Sequence, residues 1–317
     1  MFNSSFTRRL VLTVISAAAI TLAGCGGTTS SSTTTLSVTP ALGAAFGATV
    51  LVYNAGGGLL GQGVTGSDGK VNVALSGYTS GQPIIIRTVM GVGSSYFNEK
   101  TGANTAPLAA TEPIVTLMAV VPSIASGQAV GVTALTNMAA AFVGVTADTV
   151  IPTKTVTSAA VVEGVAKTNL ALGLPASTNI TEAPIAASAA NWNSVTGVIT
   201  GATGGTGSVT GKILAEMART STTTPAAQAV ALATAVNTST GTVATGTASA
   251  VLGTVNTALQ AAAVTKLAIV VAVSVTAPTT AQLTEAKTVA TAVTGNAVPG
   301  AVQTSTGTGT GSVGTGG

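Results

Sequence analysis

The apolar residues of this chain keep one rhythm up to about Val121 and another beyond about Val130. In the first stretch they fall at alternate positions, as Val71, Val73 and Leu75 do around Asn72 and Ala74. In the second they recur three and four residues apart, as Val161, Val165 and Leu170 nearly do. A period of two gives a strand one apolar face, and a period near 3.6 gives a helix an apolar stripe. The chain is therefore expected to be α+β. An N-terminal antiparallel β-sandwich would be followed by an irregular, Ala/Thr-rich, mainly helical region.

Turn residues divide the first stretch into short strands. Ala48 to Tyr53 is rich in β-formers and is broken by Asn54-Ala55-Gly56-Gly57-Gly58. Leu59 to Val64 and Val71 to Leu75 flank Asp68-Gly69, a hairpin signal. Gln82 to Met90 contains Ile84-Ile85-Ile86, a run suited to a strand covered on both faces. Ser94 to Asn98 and Ile114 to Val121 complete the set, and strands at this spacing suggest an antiparallel sandwich.

Helix signals follow. Val132 to Ala139 opens one helix, with Met138 and Phe142 four apart. Thr157 or Ser158 caps the next, whose stripe reads Val161, Val162, Val165, Ala166 and Leu170, with Gly173 and Pro175 to end it. Val209, Ile213, Leu214 and Met217 share a face. Thr224-Pro225 supplies a cap and a proline at the first helical position, ahead of Ala226 to Val236. Val251, Leu252, Val255 and Leu259 make a further stripe, and Thr279 and Gln282 have capping-box spacing. The expected organisation is a leader over 1–24, a tether over 25–35, the sandwich over 36–125, the helical region over 126–300 and a Gly/Thr tail over 301–317.

The leader has three parts: Arg8-Arg9, an apolar run from Leu10 to Ala23, and small residues at a cut site. The run is short for a membrane span, which needs about 20 residues. The sequence holds one cysteine, Cys25, so no internal disulfide can form, and in an exported chain that thiol is either free or modified. Leu22-Ala23-Gly24-Cys25 resembles the lipobox of bacterial lipoproteins. That resemblance implies that a diacylglyceryl group is attached to Cys25, that Cys25 becomes the mature N-terminus, and that the partner of the chain is a membrane. Gly26 stands where an aspartate would mark retention in the inner membrane, so the outer membrane is the implied location, in either leaflet. Gly26 to Thr35 is only Gly, Ser and Thr, a flexible tether.

A second resemblance rests on Gly61-Gln62-Gly63-Val64-Thr65-Gly66-Ser67-Asp68-Gly69-Lys70. This stretch, between a strand with a Gly-rich turn and an alternating strand, is similar to carboxypeptidase-regulatory-like and Cna-B-like domains. These are transthyretin-like sandwiches that usually act as spacers or binding accessories. Some carry an internal Lys–Asn isopeptide bond, which nothing in the sequence assigns here. The pairing of such a module with an Ala/Thr-rich helical part also resembles proteobacterial lipoproteins in which a V-x-P-L-T stretch opens the helices. Val132-Thr133-Ala134-Leu135-Thr136 matches it with Ala134 in place of the proline.

The search for chemistry excludes more than it finds. No histidine exists, which removes Ser-His-Asp and Cys-His catalysis and the commonest metal ligand. Charged residues are 6% of the chain, far below the roughly 25% of ordinary globular domains. Arg8 and Arg9 supply two of the eleven basic residues, so the rest is near neutral against eight acids. No basic stripe exists to follow a phosphate backbone, so nucleic acid is not an expected partner. Gly201 to Gly207 looks like a phosphate cradle, but Gly211-Lys212 is followed by Ile213 and Thr206 stands where a P-loop needs glycine. Leu267 to Val275 is apolar apart from Ser274 and too short to span a bilayer. Trp192, the only tryptophan, is either a stacking platform or a packing anchor, and the anchor is the better account in an aromatic-poor chain. Tyr96 and Phe97 are expected to pack. The sequence thus points to a lipid-anchored, non-enzymatic envelope protein with a structural, adhesive or accessory task and no cofactor. The alternatives are a ligand- or glycan-binding lipoprotein and, more remotely, a hydrolase built on clustered acids.

Overall fold

The computed structural model describes residues 33–112, 114–147, 152, 155–172, 174, 178–193, 198–199, 210–211, 213–215, 217–218, 221, 223–238 and 242–243. Nine strands come first: β1 (Thr34–Ala41), β2 (Ala45–Phe46), β3 (Thr49–Asn54), β4 (Leu59–Val64), β5 (Val71–Leu75), β6 (Ile84–Met90), β7 (Ser95–Asn98), β8 (Ala103–Asn104) and β9 (Val115–Val121). A tenth, β10 (Gln128–Thr133), leads straight into helix α1 (Ala134–Phe142). The described part is thus a strand-rich α+β structure.

The strands form three sheets, ordered β4-β3-β6-β9, β10-β1-β5 and β2-β7-β8. The four-stranded sheet is antiparallel throughout, as expected. The second sheet corrects that expectation, because β1 runs parallel to β10 and antiparallel to β5. Pro40 sits inside β1 without harm, since β5 pairs only as far as Val38 and leaves that flank without a partner. Thr34 and Thr35, expected in the tether, already pair with Leu75 and Ala74. Their β-branched side chains suit a strand.

One core joins the two larger sheets. Leu36 and Val38 of β1, Val73 and Leu75 of β5 and Val130 and Val132 of β10 cluster with Val50, Val52, Ile84, Ile86, Leu117 and Ala119. The glycines of the Gly61 to Lys70 stretch explain how β5 comes so close to β4. A Cβ at Gly63 would lie 2.6 Å from a methyl of Val71, and one at Gly61 would strike the Ala74 carbonyl. With both faces bare, Ser76 N–H reaches Leu60 O at 2.9 Å. Thr65 then ties the stretch to β3: its hydroxyl accepts from Ala48 N–H at 2.9 Å, and Asp68 accepts from Lys70 N–H to hold the turn.

The helices pack on the same core. α1 begins two residues later than its apolar pattern suggests, because Val132 and Thr133 end β10. Thr133 and Thr136 form a reciprocal capping box, which fixes the first turn. Thr136 and Asn137 also finish the β9 edge: the Thr136 hydroxyl donates to Met118 O at 3.0 Å, and Asn137 Oδ1 accepts from Met118 N–H at 3.0 Å. Two side chains of a helix thereby stand in for a missing neighbour strand. The region expected to be mainly helical also carries β10 and the two-residue strands β11 (Trp192–Asn193), β12 (Val198–Ile199), β13 (Val236–Asn237) and β14 (Thr242–Val243).

α2 (Ser158–Ala171) is capped by Thr157, one of the two residues the sequence offers. Its buried face is not the expected stripe. Val161, Gly164, Thr168 and Asn169 are buried, while Val162 and Leu170 are 58% and 81% exposed. Gly164 decides this, since a Cβ there would lie 2.9 Å from Ala139 O of α1. The closest helix–helix approach turns the small residue inward and carries the valine and leucine out. Thr168 hides its hydroxyl by donating to Gly164 O at 2.9 Å. The helix Pro225–Thr234 starts as its sequence predicts, with Thr224 as cap and Pro225 in the first turn. Ile213, Leu214 and Met217 are helical and buried, and Val209 of the same predicted face lies outside the described residues. The predicted stripe at Val251 to Leu259, the Thr279–Gln282 box, and Gly173 and Pro175 also lie outside them.

Candidate functional site at the end of strand β7

The lipobox residues Leu22, Ala23 and Gly24, and the lipidation residue Cys25, lie outside the described residues, as do the loop at 201–207 and the apolar run at 267–275. Among the described residues no group of three His, Cys, Asp or Glu could hold a metal ion. No helix among them is long and apolar enough to cross a membrane. The concentration of unusual chemistry within them is at the end of β7.

Strand alternation sends Tyr96 and Phe97 to opposite sides. Tyr96, 5% exposed, joins the main core, and Phe97, fully buried, joins Ala187, Ile199 and Ala215 in a separate cluster. Both therefore pack, as expected. Trp192 reaches this second cluster from β11, where it pairs with Ile199. Its ring meets Phe97 edge-on at 6.3 Å between centroids and 69° between planes, a favourable geometry for two π systems. Trp192 is thus a packing anchor, and its buried indole N–H has no hydrogen-bond partner.

Glu99 follows β7 directly and is 4% exposed. Sequence reasoning missed it, counting it only among scattered acids, because nothing in Tyr96-Phe97-Asn98-Glu99 distinguishes a buried carboxyl from a solvated one. Its Oε2 atom is buried without a partner. Loss of water pushes its pKa up to about 8, against the smaller opposing pull of the Glu99 and Gly43 backbone N–H groups. No cation among the described residues offsets this. Lys100, the next residue, turns outward and donates to Ser221 O at 3.0 Å. Glu112 spends its carboxylate on Ala109 N–H. The Tyr96 hydroxyl is likewise raised, first by burial and then by Glu99 and Glu112. Glu99 is therefore a neutral acid at pH 7.

A lone neutral acid can hold or release a proton. It does not make the acid–base pair that hydrolysis of a glycoside requires. Nor do the described lysines offer an isopeptide partner: Lys70 and Lys100 are exposed, and Lys167 pairs with Glu163 at 2.9 Å. A void of about 10 Å³ is lined by Leu42, Ala134, Leu214, Met217, Pro225 and Gln228 among others. It has room for one water molecule at most.

Comparison with protein-family models, with curated proteins and with solved structures finds no match to this chain.

Proposed function

We propose that this chain is a lipid-anchored protein of the cell envelope, held in the outer membrane by acyl chains on Cys25. On this reading it carries a β-sandwich close to the anchor and serves a structural, adhesive or accessory role there. The observation that carries the reading is the only cysteine of the sequence, placed in Leu22-Ala23-Gly24-Cys25 behind Arg8-Arg9 and an apolar run. Each buried methylene of an acyl chain contributes about 0.8 kcal/mol, so two or three chains hold firmly where one would not. The sandwich is supported by two sheets whose inward residues share one core and by the Gly61 to Lys70 stretch that brings them together. A task without catalysis is supported by the lack of histidine in the sequence. Ligand capture through Trp192 gains no support, because Phe97 already engages that ring.

Replacement of Cys25→Ser tests the anchor. The variant is expected to leave the membrane fraction, and the N-terminal peptide of the unaltered protein is expected to carry lipid mass. A variant that stays with the membrane, beside an unaltered peptide of unmodified mass, would falsify the reading.

A further inference from the structure

We propose that Glu99 is a proton-controlled latch that holds the segment around Ala187 and Trp192 against the strands. Three observations meet at this residue. Its carboxyl is buried, with one oxygen unpartnered and the other side facing the backbone N–H groups of Gly43 and of Glu99 itself. Gly43 lies in the left-handed region at φ +56°, and a Cβ there would collide with the Phe97 carbonyl, so the turn is pressed onto the end of β7. Ala44, the next residue, holds both partners together: its N–H donates to Ala187 O at 2.9 Å, and its carbonyl accepts from Phe97 N–H at 2.9 Å. Phe97 in turn makes the edge-on contact with Trp192. The carboxyl thus stands behind the two contacts that join this segment to β7.

In the neutral form Glu99 fits a site without water. In the anionic form it needs water or a cation, because an uncompensated buried charge is costly. Among the described residues the surroundings supply no cation. The turn at 42–44 and the stretch 183–192 contain no titratable side chain. Tyr96 is a neutral phenol, Glu112 is an acid, and Lys100 points outward to Ser221 O. Lys212, Glu216 and Arg219 lie outside the described residues. Loss of the proton to water therefore drives the carboxylate outward, shifts Gly43 and β7, and loosens the Ala44 and Phe97 contacts. Trp192, half-buried in the closed state, then becomes more exposed while the sheets stay folded.

Trp192 reports the event, being the only tryptophan. Its emission is to be followed on the full mature chain from about pH 6 to about pH 9, beside far-ultraviolet circular dichroism. The expected result is a red shift centred near the Glu99 pKa of about 8, with unchanged dichroism. Glu99→Gln should stay blue throughout, and Tyr96→Phe should keep the transition. A flat wild-type titration overturns the latch, and so does the same transition in Glu99→Gln. Should the Gln variant not fold, the wild type still decides. Protection of the Ala44 amide, corrected for intrinsic exchange, should fall by up to about tenfold per pH unit as pH rises toward the midpoint and level off above it, as opening linked to loss of one proton requires. Constant protection overturns the proposal.

Discussion

Glu99 and Asn137 are both buried polar residues, and their effects on stability are opposite in kind. Asn137 is satisfied on both sides: Oδ1 accepts from Met118 N–H, and Nδ2 donates to Ala229 O at 3.1 Å. One side chain thereby ties β9 to α1 and to the Pro225–Thr234 helix. Asn137→Leu should cost about 2–5 kcal/mol, because it strands the buried Met118 N–H as well as losing two bonds. Urea unfolding at neutral pH measures it, and a loss below about 1 kcal/mol would show that water or repacking replaces the amide. Glu99 acts through the proton. Its folded pKa of about 8 lies above the ordinary 4.5, so the folded state holds a proton that the unfolded state releases. Its contribution is fully present below about pH 4.5 and is lost as pH rises to about 8. The urea midpoint of the wild type should fall across that window, by an amount equivalent to a few kcal/mol. Glu99→Gln, which cannot ionise, should flatten the profile. An unchanged slope in the variant would place the titration elsewhere.

At the scale of elements, what the sequence made legible was local. The strands from Thr49 to Val121, apart from the two-residue β8, and the Thr224-Pro225 helix start follow from alternation and from turn and cap chemistry, which act over a few residues. β10 was not legible. Gln128 to Thr133 is short and runs into a helical pattern, and its partner β1 lies some ninety residues away with parallel register. The buried acid at the end of β7 was hidden for the same reason, since Gly43 and Ala187 approach it only in the fold. The hydrophobic stripe does not give the buried face of α2, because Gly164 sets the approach to α1. Two substitutions separate those accounts. Gly164→Val should cost about 1–3 kcal/mol by forcing α2 off Ala139, despite valine's better helix propensity. Leu170→Gln should change stability by less than about 0.5 kcal/mol, as exposed changes do. A costly Leu170→Gln beside a neutral Gly164→Val would restore the original stripe as the buried one.

At the scale of the whole molecule, the decisive feature is that strands and helices do not keep separate cores. The expected sandwich over 36–125 ends between β9 and β10. The residues that complete the strands' core come later: Val130 and Val132 flank β1, and Leu135, Met138 and Phe142 of α1 lie in the same cluster as Leu36, Val50 and Ile84. A piece cut at 125 would leave β1 without its parallel partner and Met118 N–H and carbonyl without Asn137 and Thr136. Open strand edges and uncovered apolar faces both favour association over folding, and a chain of that size has little stability in reserve. Expressed alone, residues 33–125 should therefore give a β-type circular dichroism spectrum at most, with broad unfolding and a tendency to aggregate. Residues 33–238, which retain β10, α1, α2 and the Pro225–Thr234 helix, should unfold in one sigmoidal step. Cooperative, monomeric unfolding of the shorter piece would mean that β10 and α1 decorate an independent sandwich.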